Sequence, residues 1–297
     1  MKVVGSPAFI ADCTSQISIL VTQGCQYLVD SDSGKLDTQL LLAFVLNKST
    51  SYLHTWPENT LTAEQCDALN TLMLRRYQGE PIAYILGEQG FWSLTLKVSP
   101  ATLIPRPDTE TLIEQVLEQC GDLSSSVNAS IRCLDLGTGT GAIALALASE
   151  LPSWHIEALD YNHDAVALAQ ENAKNNDLNQ VVIYQSDWFS DVDATIKIDV
   201  IVSNPPYIDS EDHHLKEGDV RFEPSSALVA DEKGLADIIH IATQARLYLT
   251  PHGYLFFEHG FEQAKAVQSI LKRLGYEHIQ TAQDLSGNDR ITWAQLQ

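Results

Sequence analysis

The chain has 297 residues, of which 44% are hydrophobic, so it is long enough and apolar enough to fill two cores. Its 39 acidic and 18 basic residues give a formal net charge of -21, which disfavours a large surface for nucleic-acid phosphates. No apolar run approaches the roughly 20 residues that cross a bilayer, and the first residues lack the apolar segment of a cleavable signal. We therefore expect a cytoplasmic protein.

The cysteines and histidines of the chain suggest no cross-linked or metal-dependent fold. The five cysteines are odd in number and form no Cys-x-x-Cys pair, and the nine histidines show no ligand spacing. We expect the cysteines to be reduced and structural. We also expect neither a disulfide framework nor a metal site.

Residues 1–82 carry helix signals and predict a small helical bundle. One amphipathic helix is predicted to bury a broad face made of Leu36, Leu40, Leu41, Ala43, Phe44 and Val45. Thr62 followed by Gln65 matches a capping box, which predicts the start of a second helix with an apolar stripe. The stripe consists of Cys66, Leu69, Leu72 and Met73. Gly79 and Pro81 are predicted to end this helix.

Residues 83–107 predict a hairpin followed by a stiff linker. Polar and apolar residues alternate from Phe91 to Val98, which indicates two short strands. The prolines around Arg106 make the next segment a rigid joint, and the role of Arg106 is open. Asp108 or Thr109 is predicted to cap the helix that follows.

Residues 108–297 predict an α/β domain with a Rossmann-like, seven-stranded sheet. From Ile131 onward strands alternate with helices, which is the pattern of a parallel sheet flanked by helices. Ligands of such sheets bind at the carboxyl ends of the strands. The predicted strands are Ile131 to Leu136, Ile156 to Asp160, Val181 to Tyr184, Val200 to Val202, Gly253 to Glu258, and two final strands around Ile279 and Ile291 to Ala294.

A glycine-rich loop follows the first of these strands. It comprises Gly137, Thr138, Gly139, Thr140 and Gly141 and leads into a helix rich in alanine and leucine. Glycines let the backbone approach a ligand closely. The loop also fits a loose dinucleotide fingerprint, so by itself it does not choose a ligand. About 20 residues further on, Asp160 ends the next strand and could accept hydrogen bonds from ribose hydroxyls, which supports an adenosine ligand.

A buried run, Val200 to Val202, delivers four residues that we call the tetrad: Asn204, Pro205, Pro206 and Tyr207. The prolines end the strand and hold Asn204 at the rim of the sheet. Its carboxamide, with an aromatic ring nearby, suits a planar group that bears an NH2. Hydride transfer does not require this arrangement, whereas methyl transfer to a planar nitrogen does. Trp188, next to Asp187, could lie against an adenine ring. The polar segment from Asp209 to Lys233 is either a solvated loop or a lid over the substrate.

Several stretches of the chain together resemble the bacterial PrmC/HemK family. They are Arg75-Arg76 with Gly79 to Tyr84, Phe91-Trp92, Ile104 to Glu110, Asp135 to Gly141, the tetrad, and Gly218 to Pro224. The likeness covers nearly the whole chain. Members of this family are S-adenosylmethionine-dependent methyltransferases that modify a glutamine of peptide chain release factors.

The resemblance implies methylation of the side-chain amide nitrogen of the glutamine in the Gly-Gly-Gln motif of release factors, with S-adenosylhomocysteine as product. It implies that the cofactor is held by Gly137, Thr138, Gly139, Thr140, Gly141, Asp160, Trp188 and Asn204. It assigns the glutamine to Asn204, Pro205, Pro206 and Tyr207, of which Asn204, Pro205 and Tyr207 are the catalytic candidates. The helical bundle would help to recognise the release factor. We further expect a monomer that binds neither nucleic acid nor membrane.

The tetrad suggests a mechanism and leaves two rivals. The Asn204 side-chain oxygen and the Pro205 carbonyl would accept both hydrogens of the NH2 group, while the Tyr207 ring packs on the amide plane. An enzyme that methylates the exocyclic amine of adenine in DNA or RNA would use the same geometry, although the acidic charge argues against it. A nucleotide-binding scaffold without catalysis is the second rival.

Overall fold

The computed structural model describes residues 9–125, 131–216 and 218–297. The chain divides into two compact units, Met1–Gly87 and Glu88–Gln297. Across the described ranges, none of the helices combines the length and the apolar character that a membrane span requires. Each unit has its own hydrophobic core, so the expected combination of a helical region with an α/β domain is confirmed.

The first unit is helical. Its helices are α1 (Ile17–Tyr27), α2 (Gly34–Leu46), α3 (Thr50–Thr55), α4 (Ala63–Tyr77) and α5 (Ile82–Leu86). The predicted capping box is confirmed at the start of α4, where the Gln65 backbone N–H donates to the Thr62 hydroxyl at 3.3 Å. In return, the Thr62 backbone N–H donates to the Gln65 side-chain oxygen at 2.9 Å. Both donors would otherwise lack a partner inside the helix, so the pair fixes where α4 begins.

The predicted buried face of α2 is right for Leu41 and Ala43 and wrong for Leu36 and Phe44. Leu36 and Phe44 are 54% and 51% exposed, whereas Asp37 and Thr38 are buried. Asp37 occupies the core side because its carboxylate pairs with Arg76 at 2.7 Å. Thr38 packs against α1, where a Cβ added to Gly24 would lie 2.3 Å from the Thr38 side chain. Two polar residues thus take inward positions, and two apolar residues are turned outward.

Arg75 and Arg76 form a network of hydrogen bonds with Glu80 inside the first unit. Arg75 donates two hydrogen bonds to the Glu80 carboxylate, at 2.8 and 2.5 Å. Arg76 donates to the Glu80 backbone carbonyl at 3.0 Å as well as to Asp37. Such forked arginine contacts fix geometry as well as charge. These residues therefore hold the end of α4 against α2.

The second unit begins with the predicted hairpin, which is confirmed as β1 (Glu88–Phe91) and β2 (Leu94–Lys97). Its tip is anchored to the helices that follow. The Trp92 backbone N–H donates to the Glu110 carboxylate and its indole N–H donates to Glu150, each at 2.7 Å. The hairpin is therefore attached to the α/β unit through side chains as well as through the chain itself.

A seven-stranded sheet forms the centre of the second unit, as predicted. Its strands are β3 (Arg132–Leu136), β4 (His155–Asp160), β5 (Val182–Gln185), β6 (Ile198–Ser203), β7 (Leu249–Glu258), β8 (Tyr276–Gln283) and β9 (Asp289–Leu296). They lie in the order β5-β4-β3-β6-β7-β9-β8, and only β9 runs antiparallel to its two neighbours. The strand order reverses between β3 and β6, so a crevice is expected outside their carboxyl ends.

Helices cover both faces of this sheet. They are α6 (Glu110–Cys120), α7 (Ala142–Glu150), α8 (His163–Asn175), the single turn α9 (Asp231–Gly234), α10 (Ala236–Tyr248) and α11 (Ala264–Arg273). One core cluster joins α6, α7 and α8 to Val200 and Val202 of β6, and the other joins α10 and α11 to Ile201. A strand buried on both faces must be apolar at successive positions, which explains the Val-Ile-Val run.

The predicted cap of α6 is right in position at Thr109 and wrong in the capping hydrogen bond. A 3-10 turn, Pro107–Thr109, leads directly into the helix, and the Thr109 side chain makes no capping hydrogen bond within the described residues. Asp108 instead lies 3.7 Å from the Arg290 guanidinium. Asp108 and Thr109 instead interact with Arg290 and Asn204, which are distant in the sequence. Local residue spacing could not predict these partners.

Candidate active site

The glycine-rich loop after β3 is shaped by backbone contacts with the neighbouring strand. The N–H groups of Gly137 and Thr138 both donate to the Leu159 carbonyl at 2.9 Å. Gly141 has φ 86°, and a Cβ there would lie 3.1 Å from Leu145 and 3.3 Å from Ala169. Glycine at this position therefore meets both a backbone and a packing requirement.

Two polar side chains, the half-buried Asp160 and the buried Asn172, complete the support of this loop. The Gly139 N–H donates to Oδ2 of Asp160 at 2.9 Å, while Oδ1 of the same carboxylate accepts from the Asn162 N–H at 2.8 Å. Burial raises the pKa of Asp160. Asn172, which the sequence did not single out, donates to the Thr140 carbonyl at 2.9 Å. Each Asp160 oxygen keeps room for a further donor, such as a ligand hydroxyl.

Asp135 is a second acid beside the loop, which the sequence analysis quoted only within a family stretch and to which it assigned no role. Its Oδ2 accepts from the Thr138 hydroxyl at 2.6 Å and from the Ala144 N–H at 3.3 Å. Its Oδ1 is buried and has no hydrogen-bond partner among the residues that the structure describes. Burial raises the pKa of Asp135 to about 7.

Trp188 closes the side of the cavity that faces the glycine loop. Its backbone has φ 48°, which is unusual for a bulky residue, and the Ser186 hydroxyl donates to its carbonyl at 2.7 Å. A Cβ added to Gly137 would lie 3.6 Å from the indole ring. Strained backbone that neighbours hold in place is common at ligand sites, which is consistent with the predicted aromatic platform.

The tetrad follows β6 at the carboxyl edge, next to the end of β3. The Ser203 hydroxyl donates to the Leu136 carbonyl at 2.8 Å and so joins the two strand ends. Asn204 donates from Nδ2 to the Thr109 hydroxyl at 3.3 Å. The Tyr207 hydroxyl donates to Oε1 of Glu258 at 3.2 Å. Burial raises the pKa of Tyr207, so the phenol stays neutral and able to donate.

The backbone of the tetrad turn is fixed from behind. The Gln263 side-chain amide donates to the Tyr207 carbonyl at 2.9 Å. A Cβ at Gly234 would lie only 2.0 Å from that carbonyl oxygen, and Gly234 has φ 78°. Ile208 donates to the Leu228 carbonyl at 2.9 Å, which closes the base of the following loop. The turn is therefore held by three later segments of the chain.

Arg106 and the segment after the tetrad, both open from the sequence, are joined in the structure. Arg106 donates to Oε2 of Glu223 at 2.5 Å, and the Ile104 N–H donates to Oε1 at 3.0 Å. Burial raises the pKa of Glu223, while Arg106 acts in the opposite direction. Ser226 and Ala227 of the same segment line the cavity described next. Part of the Asp209 to Lys233 segment is thus a wall of the site.

A cavity of about 430 Å³ lies between the glycine loop and the tetrad. Of the predicted residues, those that line it are Gly137, Thr138, Gly139, Thr140, Asp160, Trp188, Asn204 and Pro206. Gly141, Pro205 and Tyr207 lie outside its lining. Thr109 and Asp237 line it without having been predicted. The structure therefore brings most of the predicted residues into one space of a size usual for small-molecule sites.

The cavity is acidic. Its charged lining residues are Asp160, Asp187 and Asp237, and no lysine or arginine of the described chain is among the residues that line it. Burial raises the pKa of Asp237, while the neighbouring His240 acts in the opposite direction. A site of this charge favours a cationic or neutral ligand over one that carries phosphates.

Comparison with known proteins gives consistent matches for both units. Residues 20–87 match the family described as PrmC N-terminal domain, and residues 109–227 match the Methyltransferase small domain. A release factor glutamine methyltransferase of Aliivibrio fischeri is 52% identical over 268 residues, which is 90% of this chain and 92% of the relative. The chain belongs to this family.

Other members of the release factor glutamine methyltransferase family agree. The Shewanella oneidensis relative is 53% identical over 267 residues, covering 90% of this chain and 91% of its own. The Escherichia coli relative is 49% identical over 262 residues, covering 88% of this chain and 92% of its own. The predicted PrmC/HemK resemblance is confirmed.

Solved structures of lower similarity share the fold. The catalytic domain of human METTL16, in complex with an RNA hairpin, has a TM-score of 0.57 at 16% identity and covers 86% of this chain and 91% of its own. The N-terminal domain of human METTL16 in complex with SAH has a TM-score of 0.50 at 17% identity and covers 86% of this chain and 94% of its own. At these identities the likeness shows the methyltransferase fold and nothing about the substrate.

Proposed function

We propose that this protein transfers the methyl group of S-adenosylmethionine to the side-chain amide nitrogen of the Gly-Gly-Gln glutamine in peptide chain release factors. Family membership supports the reaction. The observation that carries the site assignment is the orientation of Asn204 beside the cavity. Its Nδ2 donates to Thr109, so its Oδ1 is free to accept a hydrogen from the NH2 group of a substrate.

The cavity fits S-adenosylmethionine better than a dinucleotide. The three acidic side chains that line it would repel a pyrophosphate, whereas they favour a sulfonium cation. The residues that would hold the cofactor are the glycine loop, Asp160 and Trp188. Asp160 has acceptor capacity for ribose hydroxyls, and the Trp188 ring offers an apolar face. When bound, S-adenosylmethionine supplies an electrophilic methyl group.

Positioning of the substrate amide is the main task of the tetrad. An amide nitrogen is a poor nucleophile, because its lone pair is delocalised into the carbonyl group. Asn204 Oδ1 and the Pro205 carbonyl would each accept one hydrogen of the NH2 group and so fix the direction of the nitrogen. Orientation of this kind can supply roughly 7–11 kcal/mol of a reaction barrier. Rigid support of the turn is therefore functionally important.

Tyr207 is assigned to packing rather than to proton transfer. Its hydroxyl donates to Glu258, and burial raises its pKa, so it does not serve as a base near neutral pH. Its ring would pack against the substrate amide plane. We expect Tyr207→Phe, which keeps the ring and loses the hydroxyl, to retain more activity than Tyr207→Ala. The helical unit is proposed to contact the body of the release factor.

The adenine-methylating rival is not favoured. It would use the same tetrad, but the relatives at about 50% identity are release factor glutamine methyltransferases. The net charge of -21 also disfavours a nucleic-acid substrate. The RNA-bound neighbour shares only the fold.

The proposed function is tested with labelled methyl donor. The protein is incubated with an intact release factor, with the same factor carrying alanine in place of the Gly-Gly-Gln glutamine, and with DNA and RNA. We expect only the intact release factor to be labelled, with the methyl group located at the glutamine by peptide mass. Label on nucleic acid, or equal label on the alanine form, would overturn the proposal.

A further inference from the structure

Two buried side chains outside the tetrad hold its two functional ends. Thr109 and Glu258 are 4% and 1% exposed. The Thr109 hydroxyl accepts from Nδ2 of Asn204, and Glu258 accepts from the Tyr207 hydroxyl. Asn204 and Tyr207 are thereby attached to residues 95 and 51 positions away in the sequence. Neither support is part of the family motif that the sequence analysis quoted for substrate binding.

Thr109 and Glu258 also face each other. Burial raises the pKa of Glu258, and the adjacent Thr109 hydroxyl acts in the opposite direction. Oε2 of Glu258 is buried and has no hydrogen-bond partner among the described residues. This oxygen is therefore the acceptor still available to the Thr109 hydroxyl hydrogen. Thr109 thus lies between Asn204, from which it accepts a hydrogen bond, and Glu258, whose Oε2 has no partner among the described residues.

A hydrogen bond from Thr109 to Glu258 would set the direction of a chain that continues to Asn204. A carboxylate only accepts, so in such a bond the single hydrogen of the Thr109 hydroxyl would point towards Glu258. The Thr109 oxygen then presents lone pairs to Asn204, which must offer its NH2 group in return. The carboxamide oxygen is left for the substrate. If the Asn204 carboxamide were flipped, its NH2 group would face the NH2 group of the substrate. The substrate would then lose one of its two hydrogen-bond acceptors.

We propose that Thr109 donates to Glu258 and that both are positioning residues, which set the direction of this hydrogen-bond chain and thereby keep Oδ1 of Asn204 towards the substrate. The inference rests on the proposed function. The charged and titratable groups that face Glu258 are Tyr207 of the turn, Arg290 of β9 and Asp108 of the 3-10 turn. Arg290 is shared with Asp284 at 3.2 Å and with Asp108 at 3.7 Å, and its positive charge favours the carboxylate form of Glu258.

The decisive comparison is Thr109→Val against Thr109→Ser. Valine keeps the shape and removes the hydroxyl, whereas serine keeps the hydroxyl and removes a methyl group. We expect kcat on an intact release factor to fall by about 100-fold in Thr109→Val and by less than about 3-fold in Thr109→Ser. The dissociation constant for S-adenosylhomocysteine and the KM for release factor should change by less than about 3-fold in both, because the chain orients only the reacting amide.

A second variant tests the carboxylate itself. Glu258→Gln has the same size, but its amide can donate to the Thr109 oxygen and so compete with Asn204. We expect kcat to fall by about 10-fold or more while thermal melting shows a folded protein. If Thr109→Val does not fold, this variant with Glu258→Asp as its carboxylate control decides the matter.

The outcomes separate this inference from the proposed function. Wild-type protein that fails to methylate the release factor would overturn the proposed function. An active wild type with Thr109→Val or Glu258→Gln within about 3-fold of it would overturn the inference alone. Equal losses in Thr109→Val and Thr109→Ser would also overturn it, since a hydroxyl role requires rescue by serine.

Discussion

The two sides of the cavity are built in different ways. The glycine-rich loop takes its shape mainly from backbone hydrogen bonds with the end of the adjacent strand β4. The tetrad turn is held by side chains from the 3-10 turn before α6, from β7 and from the residue before α11, namely Thr109, Glu258 and Gln263. The cofactor side therefore uses partners 21 or 22 residues away on the next strand, whereas the substrate side requires partners 51 to 95 residues away.

The largest expected effect lies at the tetrad. Asn204→Ala removes an acceptor of the substrate NH2 group, and we expect kcat to fall by about 1,000-fold or more. Binding of S-adenosylhomocysteine should weaken by less than about 10-fold, because the glycine loop is intact. Methylation kinetics and calorimetry measure the two quantities. Nearly unchanged methylation of the release factor would remove Asn204 from the mechanism.

Gly234 tests how far the tetrad turn depends on its distant support. Its Cβ would lie 2.0 Å from the Tyr207 carbonyl oxygen, so we expect Gly234→Ala to cost about 3 kcal/mol of unfolding free energy and to lower kcat. Gly287 is the matched control, because it has φ 82° with no atom within 4 Å of an added Cβ. Gly287→Ala should cost about 1 kcal/mol and leave kcat unchanged. Equal effects in the two variants on denaturant melts and kinetics would contradict the proposed support.

The pH dependence of unfolding tests how much the buried Asp135, beside the glycine-rich loop, destabilises the folded protein. Burial raises the pKa of Asp135 from 3.8 to about 7. Between these values the folded state keeps a proton that the unfolded state has lost, so the free energy of unfolding falls as pH rises and the loss is complete above about pH 7. The asparagine in Asp135→Asn cannot ionise. At pH 8 we therefore expect this variant to regain part of the lost unfolding free energy, on the order of 2 to 4 kcal/mol.

The control for the pH series is Asp164→Asn, at a side chain that is 82% exposed. It should keep the pH dependence of the wild type in denaturant unfolding from pH 5 to 8. A wild type whose unfolding free energy rises over this interval would show that Asp135 is not the dominant titrating group.

On the same side of the cavity, Asp160→Asn should affect cofactor binding more than turnover. The variant keeps an oxygen for the Gly139 N–H but places an NH2 group where a second acceptor stood. We expect the dissociation constant for S-adenosylhomocysteine to rise by about 30-fold and kcat at saturating cofactor to change by less than about 5-fold. A larger effect on kcat than on cofactor binding would contradict the assignment of Asp160 to the cofactor side of the cavity.

The smallest effect is expected in the helical unit. Leu36 and Phe44 lie exposed on α2, where serine should change stability by no more than about 0.5 kcal/mol. If this unit contacts the release factor, the double variant Leu36→Ser/Phe44→Ser should lower kcat/KM for the intact factor by about 5-fold. Kinetics on a short Gly-Gly-Gln peptide should not change. An equal loss on the peptide would instead indicate damage to the active site.

Local chemistry in the sequence was sufficient for much of the architecture. The Val200 to Val202 run predicted a buried strand that ends before the tetrad, and the structure ends β6 at Ser203. The capping box at Thr62 and Gln65 was also predicted correctly. These features depend on residues within about four positions of one another, or on the inability of proline to continue a strand. Such features can be predicted from the sequence because they do not depend on contacts between distant residues.

Tertiary structure decided which polar groups became partners. The prediction for α2 failed at Leu36 and Phe44, whereas Asp37 took an inward position paired with the partly buried Arg76. Thr109 was predicted as a cap, but its side chain faces Asn204 instead. Glu258 and Arg106 found partners 51 and 117 residues away. Most buried polar groups are paired, yet the partner of each is whichever distant group the fold brings near. The sequence therefore determined the strands, the glycine loop and the tetrad, while only the folded chain determined how the tetrad is held.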